Sequence, residues 1–172
     1  AMLCPLHGPI WRENIQYIFD KYRLWSTYTP EREGVVIAYA SMYGNTESAV
    51  NKLAKSLSDR GIRDIRMFDV SRTHISEIVA EVWENSHLVV ASPTYNMHLY
   101  SGVANLLDDL SALGLKNRKV AILGNHSWAS AAKKGMEEMV TDLKDCEIVA
   151  SMDIKSSLKE EQLDELASMA DA

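Results

Sequence analysis

The chain has 172 residues, of which 47% are hydrophobic and 24% charged, enough for one globular domain and a remainder with no need of disulfide staples. A net charge of −6 argues against a nucleic-acid partner, which calls for a basic face. No apolar run approaches the roughly 18 residues of a membrane span, no basic-then-apolar leader opens the sequence, and Cys4 and Cys146 form no framework, so no membrane contact and a cytoplasmic place with reduced thiols are expected.

Residues 1–34 stand apart from the rest of the chain. They hold six aromatics, Trp11, Tyr17, Phe19, Tyr22, Trp25 and Tyr28. The stretch "WRENIQYIFDKYRLW" has helical spacing, and "TYTPEREG" reads as a linker. This is more apolar surface than a free tail carries.

From Val35 onward, short apolar runs alternate with amphipathic stretches. "GVVIAYA" predicts a buried strand, and "TESAVNKLAKSLSDRG" a helix that stops at Gly61. "IRDIRMFDV" predicts a second strand, more polar and so nearer an edge. "HISEIVAEVWENS" predicts a helix, "HLVVASPT" a third strand and "GVANLLDDLSALGL" a helix. "RKVAILGN" predicts a fourth strand and "SAAKKGMEEMVTDLKD" a helix. "CEIVASMDI" predicts a fifth strand, and "KEEQLDELASMA" a closing helix. Five strands alternating with helices predict an α/β fold, a doubly wound five-stranded parallel sheet covered on both faces. The first, third and fourth strands are the most apolar, which fits the order 2-1-3-4-5. The segment before them is then a helical extension.

In such a sheet ligands bind at the carboxyl ends of the strands, near the switch in strand order. The loops there are "SMYGNTE", "SPTYNMHLYSG" and "GNHSWASA". All three are rich in hydroxyls and amides, and each carries an aromatic residue. The first runs into a helix, whose free N–H groups form an anion site. Ser41, Asn45 and Thr46 add polar side chains, and Gly44 allows close approach. There is no lysine as in a G-x-x-x-x-G-K-[ST] loop, and no G-x-G-x-x-G dinucleotide signature. A terminal phosphate on a ligand that is not hydrolysed fits this loop; the competing reading is that Asn45 and Thr46 only cap the helix. Tyr95 and Trp128 follow strand ends where a planar ring can lie between them, with Asn96 at its polar edge; the competing reading is lid packing. Together the loops suit a flat cofactor with a phosphate tail.

"SMYGNTE", "SPTYN" and the Trp-containing third loop resemble flavodoxin. With "LCPLHGPIWR" at residues 3–12 the chain resembles more closely the flavodiiron proteins, or A-type flavoproteins, over essentially its whole length. That resemblance implies residues 1–30 as the end of a metallo-β-lactamase-like diiron domain plus linker, and residues 31–172 as a flavodoxin-like FMN domain. It implies phosphate contacts from Ser41, Met42, Tyr43, Gly44, Asn45 and Thr46. It implies ring contacts from Ser92, Pro93, Thr94, Tyr95 and Asn96, and from Gly124, Asn125 and Trp128. It further implies an electron-transfer role between a redox partner, rubredoxin-like or a flavin reductase, and a diiron site that reduces oxygen or nitric oxide. It also implies head-to-tail pairing of two chains, for which residues 1–30 are the expected contact. The chain departs from the family at Met97-His98, Ser101 and Ser127, on the rim of the ring site.

His7 matches the family's last iron ligand, but one histidine does not hold an iron pair. His74, His87, His98 and His126 fall on separate elements without metal spacing, so no metal is expected here. His98 and His126 read either as pocket-lining or as exposed loop residues. A free-standing flavodoxin or flavin-dependent quinone reductase is the alternative reading, although neither needs the "HGPIW" segment. A receiver-like signalling module is disfavoured, because Ala40-Ser41 and Ser92-Pro93 close their strands without an acidic cluster.

Overall fold

A computed structural model describes residues 2–172. Its parallel sheet is formed by β1 (Arg32–Tyr39), β2 (Ile65–Asp69), β3 (Asn85–Tyr95), β5 (Arg118–His126) and β6 (Cys146–Lys155), with a two-residue strand β4 (His98–Leu99) paired to β3. The order is β2-β1-β3-β5-β6, the expected 2-1-3-4-5 once β4 is set aside. Side chains alternate across the pleat. Val36, Ala38, Leu88, Val90, Val120 and Ile122 face one helical layer, built from α3 (Ile75–Glu84), α4 (Ser101–Ala112) and α5 (Ala132–Thr141). Val35, Ile37, Val89, Ala91, Leu123 and Met152 face the other, built from α2 (Asn45–Asp59) and α6 (Leu163–Met169). No helix among the described residues is long and apolar enough to cross a membrane.

Several boundaries differ from expectation, each for a local reason. Trp11 is not helical: it pairs with Leu3 in an antiparallel bridge that closes residues 3–11 into a loop. Helix α1 (Ile15–Ser26) starts only after Asn14, whose φ is +50°. β2 starts at Ile65 because α2 ends in a tight turn, with Gly61 at φ +93° and Ile62 N donating to Leu57 O. Asn85 and Ser86 leave α3 and enter β3, where Asn85 is buried and its Nδ2 closes the helix on Glu81 O at 2.8 Å. The closing helix splits into a 3-10 turn, Glu160–Gln162, and α6.

The largest difference bears on the site. The expected loop "SPTYNMHLY" is a β-hairpin: Thr94 pairs with Leu99 and Tyr95 with His98 across Asn96-Met97. Both turn residues have positive φ, +48° and +62°. That turn normally signals itself with glycine at the second place, and methionine hides it.

The N-terminal edge of the sheet carries the incoming chain. Helix α1 has no buried residue, and Met2, Leu6, Ile10, Tyr17, Phe19 and Tyr22 are exposed. From Trp25 onward the chain is tied down. Trp25 Nε1 donates to Glu31 Oε1 at 2.7 Å, Lys21 pairs with Glu31, and Tyr28 packs on Trp83 at 5.7 Å. Arg118, 2% exposed, donates to the carbonyls of Tyr28, Val82, Trp83, Lys116 and Asn117 at 2.6–3.0 Å.

Candidate functional site

At the carboxyl ends of β1, β3, β5 and β6 the loops enclose a cleft of about 470 Å³. Eleven of the residues expected at a cofactor line it: Ser41, Met42, Tyr43, Asn45 and Thr46 from the first loop, Pro93, Thr94, Tyr95 and Asn96 from the hairpin, and Asn125 and Trp128 from the third loop. Ser92 and Gly124 stand behind this wall, and Gly44 is exposed beside it. Gly44 is the N-cap of α2 at φ +83°, a conformation that favours glycine. Ser92 is fully buried; its Oγ accepts from Tyr100 N at 2.9 Å and donates to Pro93 O at 3.0 Å. Gly124 makes room: a Cβ there would lie 2.7 Å from Asp153 Oδ1 and 2.7 Å from Lys133 Cβ.

In the first loop neither Asn45 nor Thr46 caps α2 with its side chain. No side chain caps α2 at Gly44. Ser41 Oγ accepts from Glu47 N at 3.2 Å, and Ser48 N bonds Gly44 O at 2.8 Å. Among the described residues the N–H groups of Asn45 and Thr46 have no acceptor in the chain. Thr46 is only 2% exposed, and its Oγ1 accepts from Asn125 Nδ2 at 3.2 Å. The hydroxyl hydrogen of Thr46 is therefore left to donate. Free amides at the positive end of a 15-residue helix, with a buried hydroxyl beside them, form an anion cradle. No lysine or arginine lines the cleft, so the donors it offers are neutral.

The hairpin and third loop are tied to each other. Thr94 Oγ1 accepts from both Ala131 N and Ala132 N at 3.2 Å, capping α5 from another loop. This spends its lone pairs and leaves its O–H as a donor. Asn125 spends both donors on Thr46 Oγ1 and on Ser156 O at 3.0 Å. Its Oδ1 acceptor is what it has left to offer a ligand. Tyr95 meets Tyr100 edge-on at 6.2 Å. Trp128 is 90% exposed and Tyr43 87%. Two aromatic rings left open at one cleft mouth are apolar surface awaiting a cover.

The cleft also holds Met97, His126, Ser127, Ala129 and Ser156. Ser156 belongs to a fourth loop, after β6. Its φ is +61°, and its N–H bonds His126 O at 2.8 Å. The hydroxyl pair Ser156-Ser157 at a strand's carboxyl end was the available signal. Of the two uncertain histidines, His126 lines the cleft and His98 is exposed away from it. His7 is exposed on the N-terminal loop. Among the described residues no group of three or more His, Cys, Asp or Glu side chains is placed to hold a metal ion.

A family model described as flavodoxin matches residues 37–168. The chain belongs to the flavodoxin family. The cofactor of that family is FMN, and the unpartnered amides, the buried Thr46 and the open aromatics fit a phosphate, its ribityl tail and a flat ring. The anaerobic nitric oxide reductase flavorubredoxin of Shigella flexneri is 26% identical over 163 residues, 94% of this chain and 33% of that protein. The rubredoxin oxygen:oxidoreductase of Desulfovibrio gigas superposes with a TM-score of 0.88 at 28% identity, over 99% of this chain and 42% of that one. Flavodoxin 1 from Bacillus cereus shares the fold, with a TM-score of 0.70 over 81% of this chain and 95% of its own. The chain is thus a flavodoxin-like FMN domain homologous to flavodiiron proteins, and it spans about a third of the length of the curated relatives it matches.

Proposed function

We propose that this chain is the FMN-carrying electron-transfer unit of a flavodiiron-type oxidoreductase. The observation that supports it most is coverage. The Desulfovibrio gigas structure matches 99% of the chain, whereas a free-standing flavodoxin matches 81%. The residues ahead of β1 therefore have a counterpart in the larger protein. This favours residues 1–30 as the end of a preceding diiron domain plus linker, and residues 31–172 as the FMN domain.

When bound, FMN supplies the redox chemistry, accepting and releasing electrons. The chain's residues hold and enclose it. Asn45, Thr46 and the first-turn amides of α2 bind the phosphate, with Ser41, Met42, Tyr43 and Gly44 shaping the loop around it. Tyr95 and Trp128 cover the ring. Pro93, Thr94, Asn96 and Asn125 border it, and Ser92 and Gly124 support that wall from behind. In this reading electrons come from a rubredoxin-like protein or a flavin reductase in the cytoplasm. They leave for an iron site outside these residues, which His7 cannot form alone, and there reduce oxygen or nitric oxide. The exposed apolar side chains of residues 2–22 suit pairing of two chains.

The FMN-loaded chain, mixed anaerobically with reduced rubredoxin, is expected to bleach in the visible. It is expected to hold no stoichiometric iron and to turn over neither oxygen to water nor nitric oxide. Stoichiometric iron with turnover would overturn the assignment, as would a flavin that no protein donor reduces. Light scattering is expected to give a dimer for the parent and a monomer without residues 1–24, which spares the Trp25–Tyr28 anchor; a monomeric parent at high concentration would remove the pairing.

A further inference from the structure

Behind the cleft wall, at the ends of β5 and β6, His126 and Asp153 face each other. His126 Nδ1 lies 3.1 Å from Asp153 Oδ2, at ion-pair distance. Nδ1 and Asp153 Oδ1 are both buried without a hydrogen-bond partner, and no other side-chain nitrogen or oxygen of the described residues that are not exposed shares that state. Ser130 Oγ donates to Asp153 Oδ2, and Gln162 Nε2 donates to the Asp153 carbonyl at 3.1 Å. The nearby lysines do not take the carboxylate: Lys133 is 3.4 Å from Glu137, and Lys155 is exposed. Gly124 is what allows Asp153 to sit this deep.

A histidine with only a packing role would have satisfied its buried nitrogen. A neutral imidazole that carries its hydrogen on Nδ1, toward a carboxylate that can only accept, leaves its other nitrogen bare. That other nitrogen, Nε2, has no partner and is not among the sealed atoms, and His126 lines the cleft.

We propose that His126, oriented by Asp153, binds the flavin ring: Asp153 keeps the proton on Nδ1, and Nε2 is offered to the cleft as a hydrogen-bond acceptor that favours the reduced cofactor. This rests on FMN occupying the cleft. Oxidised isoalloxazine presents mostly acceptors at its polar edge. With FMN bound, two electrons and one proton, drawn in the test from dithionite and water, would convert a bare ring nitrogen into an N–H donor. An acceptor beside that nitrogen gains a partner only on reduction. His126 is the binding residue and Asp153 the positioning residue.

The test compares the parent with His126→Phe, which keeps a ring without nitrogens, and Asp153→Asn, which removes the charge. Midpoint potentials of free and bound FMN give the ratio of affinities for reduced over oxidised cofactor. Imidazole ¹⁵N shifts give the tautomer. The ratio is expected to fall about tenfold in both variants, the worth of one hydrogen bond in a water-poor site. The parent is expected to carry the His126 proton on Nδ1, and Asp153→Asn to raise the share on Nε2. Normal FMN binding with an unchanged ratio in both variants would overturn the proposal, and so would a parent protonated on Nε2 alone. A parent that binds no FMN would remove the cofactor reading itself, and this inference with it.

Discussion

The two ends of the sheet treat their polar groups in opposite ways. At the amino end the chain satisfies itself. Arg118 fills its guanidinium with five backbone carbonyls. Arg32 meets Asp64 at 2.9 Å and also pairs with Glu84, and Glu31 is shared by Lys21 and Trp25. At the carboxyl end donors are left over, the first amides of α2 and the hydroxyl hydrogens of Thr46 and Thr94, and the rings of Tyr43 and Trp128 are uncovered. Buried or half-buried polar groups cost free energy unless paired. A fold that pairs them at one end and leaves them open at the other separates holding the chain from holding a ligand. The difference is also why a buried arginine, which looks functional in isolation, is structural here.

Breaking the closed end should cost stability and spare the cofactor. Arg118→Met leaves several buried carbonyls without a donor, at about 1–3 kcal/mol for each one that water cannot reach. Urea unfolding is expected to show a loss of at least about 3 kcal/mol at unchanged slope, while the folded fraction keeps its FMN affinity. Breaking the open end should do the reverse. Asn45→Ala with Thr46→Val is expected to weaken FMN binding by roughly 1–3 kcal/mol per lost buried partner, read by fluorescence titration, with a loss of about 1 kcal/mol in the apo chain, where Asn125 Nδ2 loses its Thr46 acceptor. Trp128→Ala sharpens the contrast, because a side chain 90% exposed carries little fold energy. Stability should stay within about 0.5 kcal/mol, while tryptophan quenching on FMN binding shrinks and the flavin potentials move. The smallest effect concerns Glu31. Burial pushes its carboxyl up, but the Lys21 and Trp25 hydrogen bonds outweigh that and hold it below the ordinary 4.5. Its contribution is present above that ordinary value and lost as pH falls through the lowered folded one. Glu31→Gln should flatten stability over that acid range by less than about 1 kcal/mol, with FMN binding at neutral pH unchanged.

The sheet was legible in the sequence because its strands are continuous apolar runs between amphipathic helices, and the apolar ranking alone placed the first, third and fourth in the middle. Boundaries slipped where one residue overrode a pattern. Asn14 delayed α1, and Asn85 carried the chain from α3 into β3. The hairpin at Asn96-Met97 was invisible because its second turn residue is not glycine. At the site, hydroxyl- and amide-rich loops at strand ends were enough to find the cleft. They were not enough to say which polar atoms are already spent. Thr94 and Asn125 bond across loops, Ser92 spans its own hairpin to Tyr100, and Asp153 reaches His126 from a different strand. Such pairings join residues 8 to 79 positions apart, and no local pattern encodes them. Ser156 was missed although the Ser156-Ser157 hydroxyl pair follows β6 directly.

The cofactor reading depends above all on one proposal, that the cation-free cradle at the amino end of α2 holds the phosphate of FMN. Calorimetric titration of the apo chain with FMN and, separately, with riboflavin, which has the same ring and no phosphate, isolates that contribution. One FMN per chain is expected, with riboflavin binding weaker by at least about two orders of magnitude, equivalent to roughly 2.8 kcal/mol, and with Asn45→Ala/Thr46→Val narrowing that gap. Equal affinity for FMN and riboflavin, or a gap that the double variant leaves unchanged, would contradict it.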